Sequence, residues 1–478
     1  MKKSLNRENR KIINVLIGIS LLFLALTVYL TYYTIFKGPV YITSSYNRRL
    51  LIAEEKILRG TIFDRNGIVL AKSEISGDSQ LRIYPYNNLY SQVIGYNSRV
   101  YGKSMLEQTY NSYLTGSDDY GKVINTFGIG DSKEKRGEDL HLTIDHDIQQ
   151  LSRKLLGNKN GAIVAMDPKT GEIIAIVSNP DFNPNEESLE KNWQNMTEDE
   201  DSPFVARATK GLYAPGSTFK VATAALAIEN GLEKLEFQDN GTVSIDGKPF
   251  SNSSGKAYGK IDVTRALAVS SNVVFSQLGV KLGEEKMKDM ASRLGMNRDI
   301  PFDISVSKSS FPDKKMGTTD VAASAIGQGK VLITPLHMAM LAATIANNGV
   351  MMEPIMVSKV VAHNGYTVKA AKQSQLYTVM DAATAEKTGL MMQEAVKNGT
   401  AAKAAIKGVS VAGKTGTAQN ELTATQKNKE HAWFIGYAPA DDPVIAISVL
   451  LEYQGGSGGN DAAPIARKVM AEYLKENK

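Results

Sequence analysis

Cysteine is absent from the 478 residues, which excludes disulfides, thiolate catalysis and cysteine-ligated zinc and is compatible with an oxidising compartment. Histidine is nearly as scarce. The five, at positions 141, 146, 337, 363 and 431, include no His-Glu-x-x-His and no other tight ligand pair, so no metal and no cofactor is expected. Charge of one sign is also small in excess, at +5. No lysine or arginine run is interleaved with aromatics as a nucleic-acid groove requires, so nucleic acid is not an expected partner. There is no internal repeat and no low-complexity tract. What is present, 42% hydrophobic and 22% charged residues over a length too great for one ordinary domain, describes a globular chain of two folded domains.

One apolar stretch stands out. From Ile12 to Phe36 there are about 25 residues without a charge, enough for a helix to cross a hydrocarbon core of roughly 30 Å. Lys2, Lys3, Arg7, Arg10 and Lys11 precede it, while Lys37 alone follows before Arg48 and Arg49, so the positive-inside rule places the N-terminus in the cytoplasm and the bulk of the chain outside. A cleaved signal peptide is the rival reading. Against it, the run is long for such a segment, and Tyr29, Tyr32 and Tyr33 stand where small residues would be needed. The expected organisation is a cytoplasmic tail over 1–11, a transmembrane helix over 12–36, a pedestal or dimerisation-like domain over 37–145 and a second domain over 146–478.

In the pedestal, RGTIFDRNGIVLA from Arg59 to Ala71 reads as two short strands about a turn at Asp64 to Gly67, where Asn-Gly supplies the positive φ of a hairpin loop. Through residue 140 the composition stays polar and aromatic. The character shifts at Asp145. DHDIQQLSRKLL has a helical period, GAIVAMDPKTGEIIAIVS gives two β-rich runs about a turn, and the acidic stretch from Glu186 to Ser202 reads as an exposed loop. Alanine-rich helical segments follow, from Thr218 to Glu229 and around Leu267 to Leu282, and HAWFIGYAP and VIAISVLLE read as closing strands. The pattern is an α+β domain with an antiparallel sheet and a helical part.

Three short motifs carry chemistry: Ser-x-x-Lys, Ser-x-Asn and Lys-Thr-Gly, a combination that marks penicillin-interacting serine enzymes. Each is common alone. Ser-x-x-Lys also occurs at Ser132, Ser188, Ser253 and Ser305, Lys-Thr-Gly at Lys169 and Lys387, and Ser-x-Asn at Ser4 and Ser45, so local context has to select. In YAPGSTFKVATAALAIENG, Pro215 and Gly216 break the chain and a helix begins at about Ser217. Lys220 then falls one turn along on the same face, and Val221, Ala222, Ala225 and Ile228 keep that helix buried. Burial and the positive helix end both disfavour an ammonium, so Lys220 can take the proton that makes a serine hydroxyl a poor nucleophile. The plain alternative is an N-cap serine followed by a solvated lysine.

Ser270 and Asn272 lie in TRALAVSSNVVFSQLG, where a polar trio interrupts two apolar helical stretches and needs partners. Ser270 offers a hydroxyl to a proton relay with Lys220, and Asn272 an amide to a substrate backbone; a capped helix junction is the plain alternative. Of the Lys-Thr-Gly copies only Lys414 leads into alternating strand character. In VSVAGKTGTAQ the small residues Gly413, Gly416 and Ala418 describe an edge strand along which another backbone could lie. Lys414 would offer a cation to a terminal carboxylate, Thr415 and Thr417 their hydroxyls, and the N–H groups of Thr417 and Ser217 an oxyanion hole. A lysine-defended edge is the alternative. The three selected copies occur in one order within one domain, and that coincidence outweighs the separate alternatives.

On RGTIFDRNG, GAIVAMDPKTGEIIAIVSNPDFNPN, GLYAPGSTFK, SSN, GQGKVLITPLHMA, GKTGTAQ and HAWFIGYAP, spread over nearly the whole chain, the sequence resembles the class B penicillin-binding proteins, the monofunctional peptidoglycan D,D-transpeptidases of bacteria. The resemblance implies a penicillin-binding/transpeptidase fold, serine β-lactamase-like, on an elongated pedestal. It implies Ser217 as nucleophile, Lys220 as base, Ser270 and Asn272 in the second motif, and Lys414, Thr415, Gly416 and Thr417 in the third. Stem peptides ending in D-Ala-D-Ala would be donors, an amine of a neighbouring strand the acceptor, β-lactams would acylate Ser217, and a polytopic lipid II polymerase would be the membrane partner. Two other readings stay open. One is a D,D-carboxypeptidase or β-lactam-hydrolysing enzyme, for which no residue identifies itself as the deacylating base; the other is a non-catalytic sensor or scaffold, against which the intact Ser217/Lys220 pair speaks.

Overall fold

The computed structural model of the chain describes residues 2–37, 57–76, 79–122, 135–420, 423, 426 and 429–476, with side chains from Asn9 onward. Arg48 and Arg49 of the charge asymmetry, and the chance-motif serines Ser45 and Ser132, lie outside the described residues. The uncharged run forms helix α1, Lys2–Tyr32, prolonged by a π-helical turn over Tyr33–Lys37. Within Asn9–Lys37 an 18-residue stretch reaches a mean hydropathy of 2.4, and none of that stretch is buried in the rest of the protein. At 1.5 Å per residue the helix is long enough to cross a bilayer core.

In the pedestal, β1 (Ile62–Phe63) and β2 (Val69–Ser76) pair antiparallel around the expected turn, with Gly67 at a φ of +84°. Asp64 closes the turn, its Oδ1 accepting from the N–H groups of Asn66 and Ile68 at 2.9 and 2.7 Å. β3 (Ser79–Ile83) extends β2, and β4 (Asp139–Leu142) lies parallel to β1. Arg59, at the head of the RGTIFDRNG segment, is a core residue. It and Arg82 flank the fully buried Glu107, with Arg82 Nε donating to Oε1 at 2.7 Å and Arg59 Nε to Oε2. Burial opposes ionisation of Glu107, but the two guanidinium groups win and hold its carboxyl below the ordinary range.

Helix α2 (His146–Leu156) is capped by Asp145, whose Oδ1 accepts from Asp147 and Ile148 N–H at 3.0 and 3.2 Å. The hairpin of β5 (Gly161–Met166) and β6 (Ile173–Asn179) follows. Residues Glu186–Glu198 then form a helix, α3, in place of the exposed loop expected there. The acidic first turn, Glu186 and Glu187, suits the positive helix end. Leu189 is buried, and Trp193 stacks on Tyr101 with centroids 3.7 Å apart, so tertiary aromatic packing fixes a segment whose polar composition reads as loop.

Next come α4 (Lys220–Glu229), α5 (Val263–Val269), α6 (Asn272–Leu282) and α7 (Pro335–Ala346). After α7, β7 (Val357–Val361) and β8 (Thr367–Ala370) join the pedestal strands in a six-stranded sheet of order β8-β7-β4-β1-β2-β3. Asp303 fastens this junction: Oδ2 accepts from Met356 and Val357 N–H at 2.8 and 2.9 Å, and Oδ1 from the Tyr110 hydroxyl. Helix α8 (Ala382–Asn398), strands β9 (Ala412–Ala418), β10 (His431–Ala438) and β11 (Ile445–Leu451), and helix α9 (Ala463–Glu476) complete the chain.

The central sheet has the order β9-β10-β11-β5-β6, antiparallel throughout. Its residues alternate between two cores. Ile445, Ile447, Val449 and Leu451 pack with Ile148 of α2 and Val469 of α9, whereas Ala446 and Leu450 pack toward the side of Leu336 and Met340 on α7. All twelve residues of α7 are buried, as an all-round apolar helix requires. The sheet is thus sandwiched, and its edge strand β9 is held rigid along one side only.

Glu107→Gln should strip the charge from between two buried guanidinium groups and cost about 3–5 kcal/mol, read as a lower guanidinium midpoint of the detergent-solubilised chain. Glu74→Gln, which breaks the exposed Lys72 pair, should change stability by less than about 0.5 kcal/mol. Equal effects from the two would remove the structural role given to Arg59 and Arg82.

Candidate active site

A 3₁₀ turn over Gly216–Thr218 carries Ser217 into α4, whose first residue is Lys220. The tighter turn, where a regular helix start was expected, follows from Gly216, which adopts a φ of +54° and donates its N–H to the Gly327 carbonyl at 2.9 Å. A Cβ on Gly216 would stand 3.0 Å from that of Ala418 and 3.2 Å from the Thr417 carbonyl oxygen, so the serine turn lies directly against β9. The segment before it is fastened as well. Trp433 Nε1 donates to the Ala214 carbonyl at 3.1 Å, and the Tyr213 hydroxyl to the buried Glu452, itself paired with Arg207. Ser217 is half-buried at the head of this assembly.

Lys220 is fully buried. Its Nζ donates to the Ser270 carbonyl at 2.8 Å and to Asn272 Oδ1 at 2.7 Å. Burial, and then the charge of Lys414, push its pKa well below the ordinary lysine value, with Asp239 opposing. The second motif therefore meets Lys220 differently from the expected hydroxyl relay. Ser270 ends α5 in the left-handed region, at φ 61° and ψ 39°, and it is the carbonyl that contacts Lys220, while the hydroxyl accepts from Lys414 Nζ at 2.9 Å. That backbone conformation costs a non-glycine residue about 1–2 kcal/mol. Asn272 gives its oxygen to Lys220 and one amide N–H to the Ser251 carbonyl at 2.7 Å, which leaves the second N–H for a substrate backbone.

Lys414, equally buried, makes a second bond to the Thr415 carbonyl at 2.9 Å, and burial lowers its pKa to about 7. Among the described residues β9 pairs only with β10, from Ala412 opposite Tyr437 to Ala418 opposite His431, so its other side is an open edge facing the serine turn. Gly416 is buried, Thr417 is exposed, and the Thr415 hydroxyl shares a 2.7 Å hydrogen bond with that of Thr400. The fold thus brings Ser217, Lys220, Ser270, Asn272, Lys414, Thr415, Gly416 and Thr417 together. The chance copies lie elsewhere: Lys169 is in the β5–β6 turn bonded to Asp442, and Lys387 on α8 is bonded to Glu233.

Sequence reasoning missed Thr400, Glu452 and the buried pair Asp239 and Asn252. The available signal for the pair was Ser271, the middle residue of the polar trio, which could not be buried between apolar helices without an acceptor.

Comparison with known proteins identifies the family of the chain. The profile of the penicillin binding protein transpeptidase domain matches residues 161–471, and that of the penicillin binding protein A dimerisation domain matches residues 59–140. The peptidoglycan D,D-transpeptidase PbpA of Mycolicibacterium smegmatis is 34% identical over 461 residues, 90% of this chain and 92% of that protein. Penicillin-binding protein 3 of Bacillus subtilis is 29% identical over 422 residues, 81% of this chain and 62% of that one. The ceftriaxone acyl-enzyme complex of penicillin-binding protein A from Mycobacterium tuberculosis superposes with a TM-score of 0.82 at 31% identity, over 88% of this chain and 100% of that one. Its penicillin G acyl-enzyme complex gives 0.81 at 31% identity, over 87% and 100%. With a family profile over most of the chain and these relatives, the chain belongs to the penicillin-binding protein transpeptidase family.

Proposed function

We propose that this chain is a membrane-anchored peptidoglycan D,D-transpeptidase acting through an acyl-enzyme on Ser217. The observation that carries the reading is a lysine amine sealed from water one helical turn from a half-buried serine, beside an open strand edge. Ser217 Oγ attacks the penultimate D-alanine carbonyl of a stem peptide while Lys220 Nζ takes its proton. The oxyanion is received by the N–H groups of Ser217 and Thr417. The peptide C–N bond then breaks, and the departing D-alanine amine takes the proton from Lys220. An amine of a neighbouring strand attacks the ester in the second step, giving its proton to the site as Ser217 is released. Lys414 with Thr415 and Thr417 receives the terminal carboxylate, and the peptide backbone lies along β9 past Gly416.

A β-lactam would be attacked at its ring amide in the same way, leaving an ester at Ser217, which is the state recorded in the acyl-enzyme complexes of the mycobacterial relative. We take 1–11 as the cytoplasmic tail, 12–36 as the anchor, 37–145 as the pedestal and 146–478 as the extracytoplasmic transpeptidase domain, from which the strands of 357–370 reach across to complete the pedestal sheet. The basic residues ahead of α1 support that orientation. A polytopic lipid II polymerase is the membrane partner this role requires.

Intact-mass analysis of the detergent-solubilised chain with benzylpenicillin should give one stable adduct, absent in Ser217→Ala and formed about 10²–10⁴-fold more slowly in Lys220→Ala. An adduct that decays within minutes would favour the hydrolase, and an adduct surviving in Ser217→Ala would remove the nucleophile assignment. The pH profile has a definite sign. Acylation needs Lys220 neutral and Lys414 charged, so the rate should rise through the lowered Lys220 pKa and fall above about 7 as Lys414 loses its proton. Lys414→Arg, whose guanidinium stays charged, should flatten the alkaline limb. A limb unchanged in Lys414→Arg would assign the descent to another group.

A further inference from the structure

Residues 237–261, between the serine helix and the second motif, form two short antiparallel pairs, Phe237–Asp239 with Gly259–Ile261 and Thr242–Ile245 with Lys248–Ser251. None of them touches the substrate in the reaction above, yet they contain a buried polar cluster. Asp239 and Ser271 are wholly inaccessible and Asn252 is nearly so. A carboxylate is costly to bury, and here every partner of Asp239 is a donor. Oδ2 accepts from the Ser271 hydroxyl at 2.6 Å, Oδ1 from the Gly241 N–H at 2.9 Å, and both oxygens from Asn252 Nδ2 at 2.8 and 2.9 Å.

Through those partners the cluster holds the start of α6. The first N–H groups of a helix lack partners within it. Asn252 Oδ1 accepts from Asn272 N–H at 2.7 Å and Val273 N–H at 3.2 Å, and Ser271 Oγ accepts from Val274 N–H at 3.0 Å. The N-terminus of α6 is therefore seated on Asn252 and Ser271, both of which are seated on Asp239, whose charge faces the positive helix end.

What is seated there decides where the Lys220 amine points. A neutral amine has two N–H bonds and one lone pair. The Ser270 carbonyl and Asn272 Oδ1 take the two N–H bonds, which leaves the lone pair for the serine proton. If either oxygen moves, the lone pair swings away. Ser270 is, moreover, in a backbone conformation that does not hold itself.

We propose that Asp239 is a positioning residue for acyl transfer: through Asn252 and Ser271 it fixes the Ser270–Asn272 turn, and with it the two oxygens that aim Lys220, without touching the substrate. The proposal rests on the Ser217/Lys220 reading above. Charged groups face Lys220 from two elements, Lys414 from β9 and Asp239 from the strand Phe237–Asp239, and the only carboxylate of the pair opposes the other influences on its proton.

The test is the second-order rate of benzylpenicillin acylation across pH, with adduct stoichiometry by intact mass, for the full chain, Asp239→Asn and Ser271→Ala. In Asp239→Asn the rate should fall about 10- to 100-fold at neutral pH, with one adduct per chain still reached. Its acid limb should move to lower pH, because the charge that favours the Lys220 ammonium is gone. Ser271→Ala keeps that charge and loses the tie, so its rate should fall without movement of the limb; it also serves if Asp239→Asn does not fold. Wild-type rate and profile in both variants, or a loss that only tracks the unreactive fraction, overturns the proposal. A wild-type chain that takes no adduct overturns the parent reading and this one with it.

Discussion

The burial of one amine is the condition on which the site depends. In the proposed mechanism Lys220 accepts a proton, which requires that water is kept from it and that no carboxylate pairs with it directly, since either would favour the ammonium. The protein meets this by giving Nζ two neutral oxygens, the Ser270 carbonyl and the Asn272 amide oxygen, and a second buried cation nearby in Lys414. The arrangement is costly: two lysines lose their hydration, and Ser270 is held in a left-handed backbone. That cost is offset by an interior in which the helix carrying Lys220 is buried on nine of its ten residues.

Geometry is supplied by the sheet. A strand whose residues are buried on both faces cannot shift without opening two cores, so β10, β11 and β5 act as a fixed wall and β9 as its firm margin. The serine turn is pressed against that margin at Gly216 and Ala418 and secured behind by Trp433 and Tyr213. Ser217, Lys220 and the strand edge are thereby positioned by packing, and in the proposed reaction substrate binding has little of the site left to organise.

Much of this could be read from the residues because the relevant signals are local. The Pro215-Gly216 break, the spacing from Ser217 to Lys220, the nearly continuous apolar runs of β10 and β11 and the small residues of β9 are each decided within a few positions. The choice among the three Lys-Thr-Gly copies rested on signals of the same local kind. What could not be read depended on distant partners. α3 owes its order to Trp193 against Tyr101 and Phe204, and Arg59 its role to Glu107. Ser270 contributes its carbonyl to Lys220 because of a φ that no propensity of serine announces. Asp239 and Asn252 sit in a polar stretch that resembles any surface loop until Ser271 is seen to close on them.

The six-stranded sheet joins residues 62–83 and 139–142 to strands that the chain does not supply until 357–370. During synthesis β4 is therefore made with one flank open and stays so for more than two hundred residues, until β7 arrives to cover it. The pedestal is consequently no separable module: cut at the linear boundary, it would lose two of its strands and expose the flank of β4 to self-association. An exchange of pedestals between related chains would have to carry 357–370 along with the N-terminal part, and the Asp303 tie to Tyr110 besides. Inheritance of the two regions is thus coupled by hydrogen bonding rather than by adjacency in sequence.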